Sequence, residues 1–370
     1  MLPAAAPAGL EINRVLGVGK EAVLHGADRA GFDRAGFYFR NLHPMPELAD
    51  AACLPWLQRV CADQQIDAIF PADLDATLWL AERAGQIPAI VLASPAASIA
   101  ACASLRATYD ALQAVVPVPP DTAARRAARI YTVDCFRTAD GALLYAGARV
   151  TGTDGITQAA ALPVAADWGG RIGAQLDLRG AWHFRVQEDA AGALLLLHVM
   201  PLLAGDAAAG SVLGPNFPLL TLYDAAGYDL AVDVFAAELP MALCVRPRFR
   251  YDRPIAALYL DLDDTLIRRG AVNPQLVALV FQCRNRGVPV HLITRHPGDL
   301  AQTLAHYRLA SLFERIIHVT DRARTKASYI DAADAVLIDD SFQERHAAAQ
   351  GRGIRCFDAA GAACLLDERV

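Results

Sequence analysis

The stretch IAALYLDLDDT, residues 255–265, decides the fold of the C-terminal part of this chain. It begins as an apolar run and ends in DLDDT, which places the carboxylates of Asp261 and Asp263 two residues apart before Thr265. An apolar run closed by polar residues is typical of a strand that is buried on both faces of a parallel sheet. Because ligands bind at the carboxyl ends of such strands, we expect the chemistry of this part at Asp261 and Asp263.

The same pattern repeats downstream of this strand. Amphipathic helical stretches separate further apolar runs, which are VPVHLIT (288–294), RIIHV (315–319), AVLIDD (335–340) and IRCFD (354–358). Strands that alternate with helices indicate βαβ units in a parallel sheet. The sequence therefore predicts an α/β fold class, with a Rossmann-like parallel-sheet domain over residues 250–370.

The N-terminal part has a different pattern. Two strand-like runs, IDAIFPAD (66–73) and IPAIVLAS (87–94), alternate with helical stretches, and two hairpins follow with Asp or Gly at their turns. The hairpins pair residues 128–136 with 142–150 and residues 181–189 with 193–201. We expect an α/β to α+β domain over residues 1–245, joined to the second domain by the Pro- and Arg-rich segment 243–254.

The composition of the chain disfavours several classes of function. The chain has 370 residues, 54% of them hydrophobic and 20% charged, with a net charge of −6, which describes a globular protein without the basic surface of a nucleic-acid binder. No run is apolar and long enough to predict a membrane span or an export signal. The eight cysteines are dispersed without metal-like spacing, so we expect reduced thiols and a cytoplasmic location.

Polar residues that follow later strands should meet Asp261. Thr294 ends VPVHLIT, Lys326 opens a stretch that reads as a helix, and Asp339 and Asp340 end AVLIDD. Four strand ends in one parallel sheet would bring these side chains to one edge.

This set resembles the haloacid dehalogenase-like hydrolase superfamily over about the last third of the chain, with DxDxT at Asp261, Asp263 and Thr265. The resemblance implies that Asp261 attacks phosphorus and Asp263 acts as acid and base. It also implies that Thr294 and Lys326 hold the phosphoryl oxygens. Mg²⁺ would be bound by Asp261, the backbone carbonyl of Asp263, Asp340 and, beside it, Asp339.

On this resemblance the expected function is a magnesium-dependent phosphatase that acts on a small phosphorylated metabolite through an aspartyl-phosphate. The gaps between Asp261, Thr294 and Lys326 leave no room for a cap domain, so the N-terminal domain is expected to shape specificity. Residues expected near an anionic substrate are Arg268, Arg269, Arg295 and His296.

Simpler interpretations stay open for each residue. Asp339 and Asp340 could cap the following helix, and Lys326 could be a solvated helix residue. Thr294 could bond only to backbone. The four cationic or imidazole side chains near the site could lie on a solvated surface.

The N-terminal domain resembles a carbamoyl-phosphate-synthase-like ATP-grasp domain, with its pre-ATP-grasp region at about residues 10–100. The phrases that carry the resemblance are DAIFPADLDATLWLAERAGQIPAIVLAS, SLRATYDAL, VPVPP, YTVDCF and GPNFPLL. The domain is expected to be truncated and degenerate, because residues 121–130 leave no space for a phosphate-covering subdomain. His198, Met200 and Leu202 also stand where the family carries Glu, Asn and Arg. His198 is interpreted as a satisfied core histidine in preference to a ligand, and the same holds for His183 and Arg185.

Two further functions stay open. The chain could be a ligase-like bifunctional protein whose first domain still binds nucleotide, or a non-catalytic binding or assembly protein. A homodimer is compatible with each of them.

Overall fold

The computed structural model of this chain describes residues 1–29, 31, 33–120, 129–189, 191–208, 212, 214–235, 239–244 and 246–369. The chain divides into two compact units. Unit 1 comprises Met1–Val245 with Arg369–Val370, and unit 2 comprises Arg246–Glu368.

Unit 1 mixes helices with short and long strands. Its helices are α1 (Pro7–Leu16), α2 (Cys53–Asp63), α3 (Leu74–Glu82), α4 (Ala96–Ala101), α5 (Leu105–Leu112), α6 (Ala165–Gln175) and α7 (Phe217–Ala225). Its strands are β1 (His25–Arg29), β2 (Asn41–Met45), β3 (Ala68–Ile69), β4 (Ile90–Val91), β5 (Arg129–Arg137), β6 (Leu143–Thr151), β7 (Ile156–Ala160), β8 (Gly180–Glu188), β9 (Leu194–Met200) and β10 (Met241–Ala242).

The largest sheet of the described chain lies in unit 1 and is antiparallel, with strand order β10-β7-β6-β5-β8-β9. One face of it packs against α5 and α6 around the fully buried rings of Trp182 and Phe184. Strands β1 with β2, and β3 with β4, form two small parallel pairs. Both predicted hairpins are present, as β5–β6 and β8–β9.

Unit 2 is built on a parallel sheet. Its strands are β11 (Ala257–Leu260), β12 (Ile267–Arg268), β13 (Ala271–Val272), β14 (Val290–Thr294), β15 (Arg315–His318), β16 (Ala335–Ile338) and β17 (Arg355–Phe357). Its helices are α8 (Pro274–Asn285), α9 (Leu300–His306) and α10 (Phe342–Arg352), with a 3₁₀ helix at Lys326–Tyr329. The sheet order is β15-β14-β11-β16-β17, and β12 and β13 form a separate antiparallel ribbon.

Burial explains why β11 lies at the centre of this sheet. All four of its residues are buried, as are all four of β16, so both strands are covered on both faces. Helix α10 begins after Ser341, whose hydroxyl accepts the N–H of Glu344, and ends at Gly353 in the left-handed region. The chain thus has parallel and antiparallel sheets, as the α/β prediction requires.

One sequence prediction needs correction, and another concerns residues that the structure does not describe. The stretch that Lys326 opens forms one short 3₁₀ helix rather than an α-helix, because Ile330 already has extended backbone. Residues 121–128, in the segment predicted to be too short for a phosphate-covering subdomain, lie outside the described residues. No helix in the described part of the chain is long and apolar enough to cross a membrane.

Candidate metal and phosphate site

The central strand of unit 2 and its two neighbours place the predicted site residues side by side. Asp261 directly follows β11, which pairs in parallel with β14 and β16. Thr294 is the last residue of β14, and Asp339 directly follows β16. Because the three strands run in the same direction, their carboxyl ends meet at one edge of the sheet.

Lys326 links two of these strand ends through buried ion pairs. Its Nζ lies 2.6 Å from Oδ1 of Asp261 and 2.7 Å from Oδ2 of Asp339. All three side chains are almost completely buried. Removing one partner of such a group would leave an uncompensated charge in a medium of low polarity.

Burial shifts the pKa of each member of this group. Desolvation raises the pKa of Asp261 to about 7, against the opposing effect of Lys326, and the charge of Asp339 raises it further. The pKa of Asp339 is also raised, mainly by burial. Desolvation would lower the pKa of Lys326, but the two carboxylates more than offset it and the net shift is upward. The ammonium therefore stays charged, and the two carboxylates compete for it.

The donor set fits a hard divalent cation. Asp261, Asp339 and Asp340 each offer a carboxylate oxygen, and these atoms lie within 4.8 Å of one another. Asp339 already commits both oxygens, because Oδ1 accepts the N–H of Ser341 at 2.8 Å and Oδ2 accepts from Lys326. Asp340 is exposed and makes no side-chain hydrogen bond to the described residues, so Asp261 and Asp340 have the greater capacity to bind a cation.

The capping alternative for the two acidic residues does not describe this arrangement. Ser341 caps α10 with its own hydroxyl, so neither carboxylate is the N-cap group. Asp340 is held through its backbone, whose N–H donates to Oγ1 of the fully buried Thr265 at 3.0 Å. The threonine of DxDxT therefore fixes the loop that carries Asp340.

Asp263 makes no ion pair with Lys326 in the described part of the chain, and its carboxylate contacts an imidazole. Its carboxylate oxygens lie 3.1 and 3.0 Å from Nδ1 of His296, while Nε2 of His296 lies 2.9 Å from Oγ1 of Thr303. The Asp263 side chain is 45% exposed, so it faces solvent rather than the buried ammonium. Of the predicted substrate-binding residues, His296 is thus joined to a predicted catalytic residue.

Arg295 is occupied by protein groups in this structure. Its Nε donates to Oε1 of Glu344 at 2.8 Å, and its Nη atoms donate to the carbonyls of Asp321 and Arg324. The other oxygen of Glu344 accepts the backbone N–H of Lys326 at 2.7 Å. Arg295 and Glu344 therefore fix the loop that delivers Lys326, and substrate contact by Arg295 stays a prediction.

The remaining predicted residues lie at two extremes of exposure. Thr294 is fully buried, and its Oγ1 accepts the N–H of His296 at 3.2 Å, so here it holds the loop after β14. Arg268 and Arg269 are exposed in the β12–β13 ribbon, where Arg269 has a φ of 52°. Contact of these three residues with a ligand stays a prediction.

Glu344 and Thr303 also contribute to this site, although the sequence did not predict them. Glu344 lies four residues after Asp340 in the first turn of α10, and Thr303 lies in α9. A glutamate in a first helical turn is ordinarily explained by the helix dipole, so its bonds to Arg295 and Lys326 had no distinctive signal. Thr303 lies seven residues after His296, and such a spacing across a loop predicts no contact.

Unit 1 carries a second polar group, on the sheet face opposite Trp182 and Phe184. Residues paired directly across an antiparallel sheet have side chains on the same face, so strand register defines two rows. The first row is Arg149, Thr132, Arg185 and His198. The second row is Gly147, Asp134, His183 and Met200.

Only one of the two guanidinium groups in the first row has carboxylate partners among the described residues. Arg149 donates to Asp134 at 2.6 Å and makes two bonds of 2.7 Å to the oxygens of Asp206. Arg185 makes no ion pair with the described residues, and its Nε is buried without a hydrogen-bond partner there. Nδ1 of His198 is also buried and unpartnered, whereas Nδ1 of His183 lies 3.0 Å from the carbonyl oxygen of Leu202. The interpretation of a satisfied core therefore fits His183 better than it fits Arg185 or His198.

Comparison with known proteins bears on the fold. No protein-family model matches the sequence, and no curated protein matches it. Among solved structures, Rhizobium etli pyruvate carboxylase with acetyl coenzyme A is similar at a TM-score of 0.50 and 14% identity, over 61% of this chain and 25% of that protein. Biotin carboxylase from Campylobacter jejuni (TM-score 0.43, 10% identity, 49% and 60%) and L-amino acid ligase from Bacillus licheniformis (0.39, 13%, 50% and 62%) also match.

The first of these likenesses supports an ATP-grasp-like fold over more than half of the chain. The chain spans less than two thirds of each of these proteins. At such low identity the similarity concerns the fold, and the activities named for those enzymes are theirs.

The prediction of a haloacid dehalogenase-like hydrolase and phosphatase is wrong, because the solved structure that is similar at a TM-score of 0.50 is a carboxylase. The physical reason lies in what strand-end motifs specify. They fix where carboxylates, a hydroxyl and an ammonium lie, but such a set can bind a metal and a phosphate without hydrolysing anything.

Replacement of Lys326 by methionine should destabilise unit 2. Two buried carboxylates would lose their shared cation, and breaking a buried charge group of this kind costs about 3–5 kcal/mol of unfolding free energy. Urea unfolding in EDTA measures the loss, and Mg²⁺ should restore part of it by neutralising the carboxylates. Lys20→Met, at an exposed position, is the control and should change little. A Lys326→Met variant as stable as the wild type would contradict the account of this group.

Acidification should destabilise unit 1 through His198. Burial, together with the charges of His183 and Arg185, lowers the pKa of His198 to about 4. An unfolded histidine titrates at about 6.5, so the unfolded chain takes up this proton first and the unfolding free energy falls between about pH 6.5 and pH 4. His198→Gln should reduce that fall by about 2 kcal/mol, measured by urea unfolding across this range. The same pH slope in wild type and variant would rule out His198 as a source.

Proposed function

We propose that this chain binds Mg²⁺ at the carboxyl edge of the unit 2 sheet and, through it, the phosphate group of a small molecule. The observation that carries the proposal is the close approach of Asp261, Asp339 and Asp340 around Lys326. No reaction is part of the proposal.

The charges explain why a metal is needed for a phosphorylated ligand. Three carboxylates and one ammonium leave this edge with a negative charge when all of them are ionised, and a phosphate dianion would be repelled. A bound Mg²⁺ supplies the positive charge that neutralises both the carboxylates and the phosphoryl oxygens. Asp261 and Asp340 would hold the ion, with Asp339 beside them.

The other side chains have supporting roles in this proposal. Lys326 has three N–H donors and uses two of them on Asp261 and Asp339, which leaves one for a phosphoryl oxygen. Asp263, held by His296, is the exposed polar group that a ligand would meet next to the metal. Arg268 and Arg269 lie on the exposed ribbon that follows and would attract an anion over a longer range.

Metal titration of single variants tests the proposal. Calorimetry should show that Asp261→Asn and Asp340→Asn each weaken Mg²⁺ binding at least about tenfold, because a neutral amide is a poorer ligand for this ion. Asp334→Asn, at an exposed carboxylate outside the cluster, should leave the affinity unchanged. Adding Mg²⁺ should broaden the ³¹P signal of inorganic phosphate further in the wild type, and Asp261→Asn should lose this Mg²⁺-dependent part. Equal Mg²⁺ affinity in all three variants, or no Mg²⁺-dependent phosphate binding in the wild type, would overturn the proposal.

A ligase-like, nucleotide-binding protein is the second candidate, and the fold likeness of more than half the chain to a carboxylase favours it. Within this candidate, unit 1 would bind ATP. His198, Met200 and Leu202 weigh against the usual magnesium chemistry of that fold, because an imidazole, a thioether and an isobutyl group are not hard oxygen ligands.

Thermal unfolding with ATP separates the two candidates. If unit 1 binds nucleotide, ATP should raise the melting temperature equally in the wild type and in the Asp261→Asn, Asp340→Asn double variant, since ligand binding to the native state stabilises it. Stabilisation that the double variant loses would assign the nucleotide to the unit 2 site. No stabilisation of either protein would refute the ligase-like candidate.

A further inference from the structure

On the polar face of the unit 1 sheet, the guanidinium of Arg185 has no carboxylate partner among the described residues. Arg149 faces two carboxylates, Asp134 and Asp206, so its charge is more than neutralised by its own partners. Arg185, two strands away in the same row, has no carboxylate partner among the described residues. The two arginines of one row are therefore in opposite electrostatic situations.

Arg185 and His198 are direct neighbours across β8 and β9. They pair in register immediately before a β-bulge, at which the pairing shifts between Arg185 and Val186. A bulge of this kind is common beside functional sites, where it redirects side chains. Both residues are partly exposed, and they lie on the sheet face opposite the hydrophobic core of Trp182 and Phe184.

The nitrogen atoms of this pair lack the partners that buried polar groups normally have. Nε of Arg185 and Nδ1 of His198 are each buried and make no hydrogen bond to the residues that the structure describes. A buried donor without a partner is destabilising, and a ligand that accepts the hydrogen bond would remove that penalty. Guanidinium recognises planar or tetrahedral oxyanions through paired N–H donors, and a neutral imidazole has one further N–H to donate.

The side chains of this polar face favour a negatively charged ligand over a cation. A divalent cation placed beside Arg185 would be repelled by the guanidinium, and the nearby carboxylates of Asp134 and Asp206 are both occupied by Arg149. An oxyanion would meet the unpaired guanidinium instead. The ring of His183 lies beside this pair, with its centroid 6.1 Å from that of His198.

We propose that Arg185 and His198 form an oxyanion-binding site on the polar face of the unit 1 sheet, which takes the carboxylate or phosphate group of a small molecule without a divalent cation. This site lies in unit 1 and does not depend on the Mg²⁺ site proposed for unit 2. The two proposals can therefore fail separately.

The imidazole signals of His198 in an NMR titration report on this site. The whole chain is labelled at histidine and kept in EDTA at pH 7, and the His198 signals are assigned by their loss in His198→Gln. Inorganic phosphate and acetate are added in separate titrations at constant ionic strength, which tells a phosphate site from a carboxylate site. At least one probe should move the His198 signals to saturation, with a dissociation constant in the millimolar range that is ordinary for so small a ligand.

Variants of Arg185 make the test specific. Arg185→Gln should weaken the anion at least about tenfold, and Arg185→Lys should weaken it less, because a lysine keeps the charge but loses the planar donors. Arg106→Gln, on the exposed surface of α5, is the control and should bind like the wild type. If Arg185→Gln does not fold, the intermediate affinity of Arg185→Lys decides.

Three results would overturn this proposal. The first is the same affinity in the wild type and in Arg185→Gln, or in Arg185→Lys where only that variant folds. The second is the absence of a saturable shift of the His198 signals with either anion. The third is a shift of the His198 signals with MgCl₂ that NaCl at the same ionic strength does not produce. Loss of phosphate binding in Asp261→Asn with an unchanged His198 titration would concern unit 2 alone.

Discussion

The ammonium of Lys326 between Asp261 and Asp339 is the interaction on which the unit 2 site depends. Two carboxylates at the ends of neighbouring buried strands cannot both be ionised in so enclosed a place without a cation between them. Lys326 opens a short 3₁₀ helix outside the sheet, so its position must be fixed independently. Glu344 does this by accepting the Lys326 backbone N–H and pairing with Arg295, which in turn donates to two carbonyls of the preceding segment.

Unit 1 meets a similar electrostatic problem with a different result. Arg149 is also a cation between two carboxylates, but both of its partners are satisfied and the group is closed. In unit 2, by contrast, Asp340 stays exposed beside the buried ion pairs. In unit 1 the group that stays open is a cation, Arg185. The open groups of the two units therefore have opposite sign, which is why we expect a metal at one and an anion at the other.

The sequence predicted the arrangement of strand ends better than the roles of single side chains. Apolar runs closed by Asp261, Thr294 and Asp339 were sufficient to place these residues on adjacent parallel strands, because burial on both faces and strand direction are properties of the pattern. The sequence could not show that Thr294 is fully buried or that Arg295 is engaged by Glu344. Those facts depend on packing between segments that lie far apart in the chain. The long hairpins of unit 1 were predictable from their turns, whereas Arg185 and His198 became visible as a pair only through the register of β8 and β9.

The prediction of hydrolysis was wrong for the same reason, since the strand-end pattern does not specify the surroundings of single side chains. A motif at the end of a strand specifies a geometry, and the reaction depends further on which groups are free to act. Asp261 shares its charge with Lys326, and Asp263 lies with His296 on the exposed side, so the two carboxylates that the motif groups together have different surroundings. Similarity to a solved structure has a different limit, because it describes the backbone and not the side chains. His198 and Met200, for example, occupy positions where the ATP-grasp resemblance implies Glu and Asn. Each unit therefore has to be assigned a ligand from its own unpaired groups, and in both units those groups lie where strands end or change register.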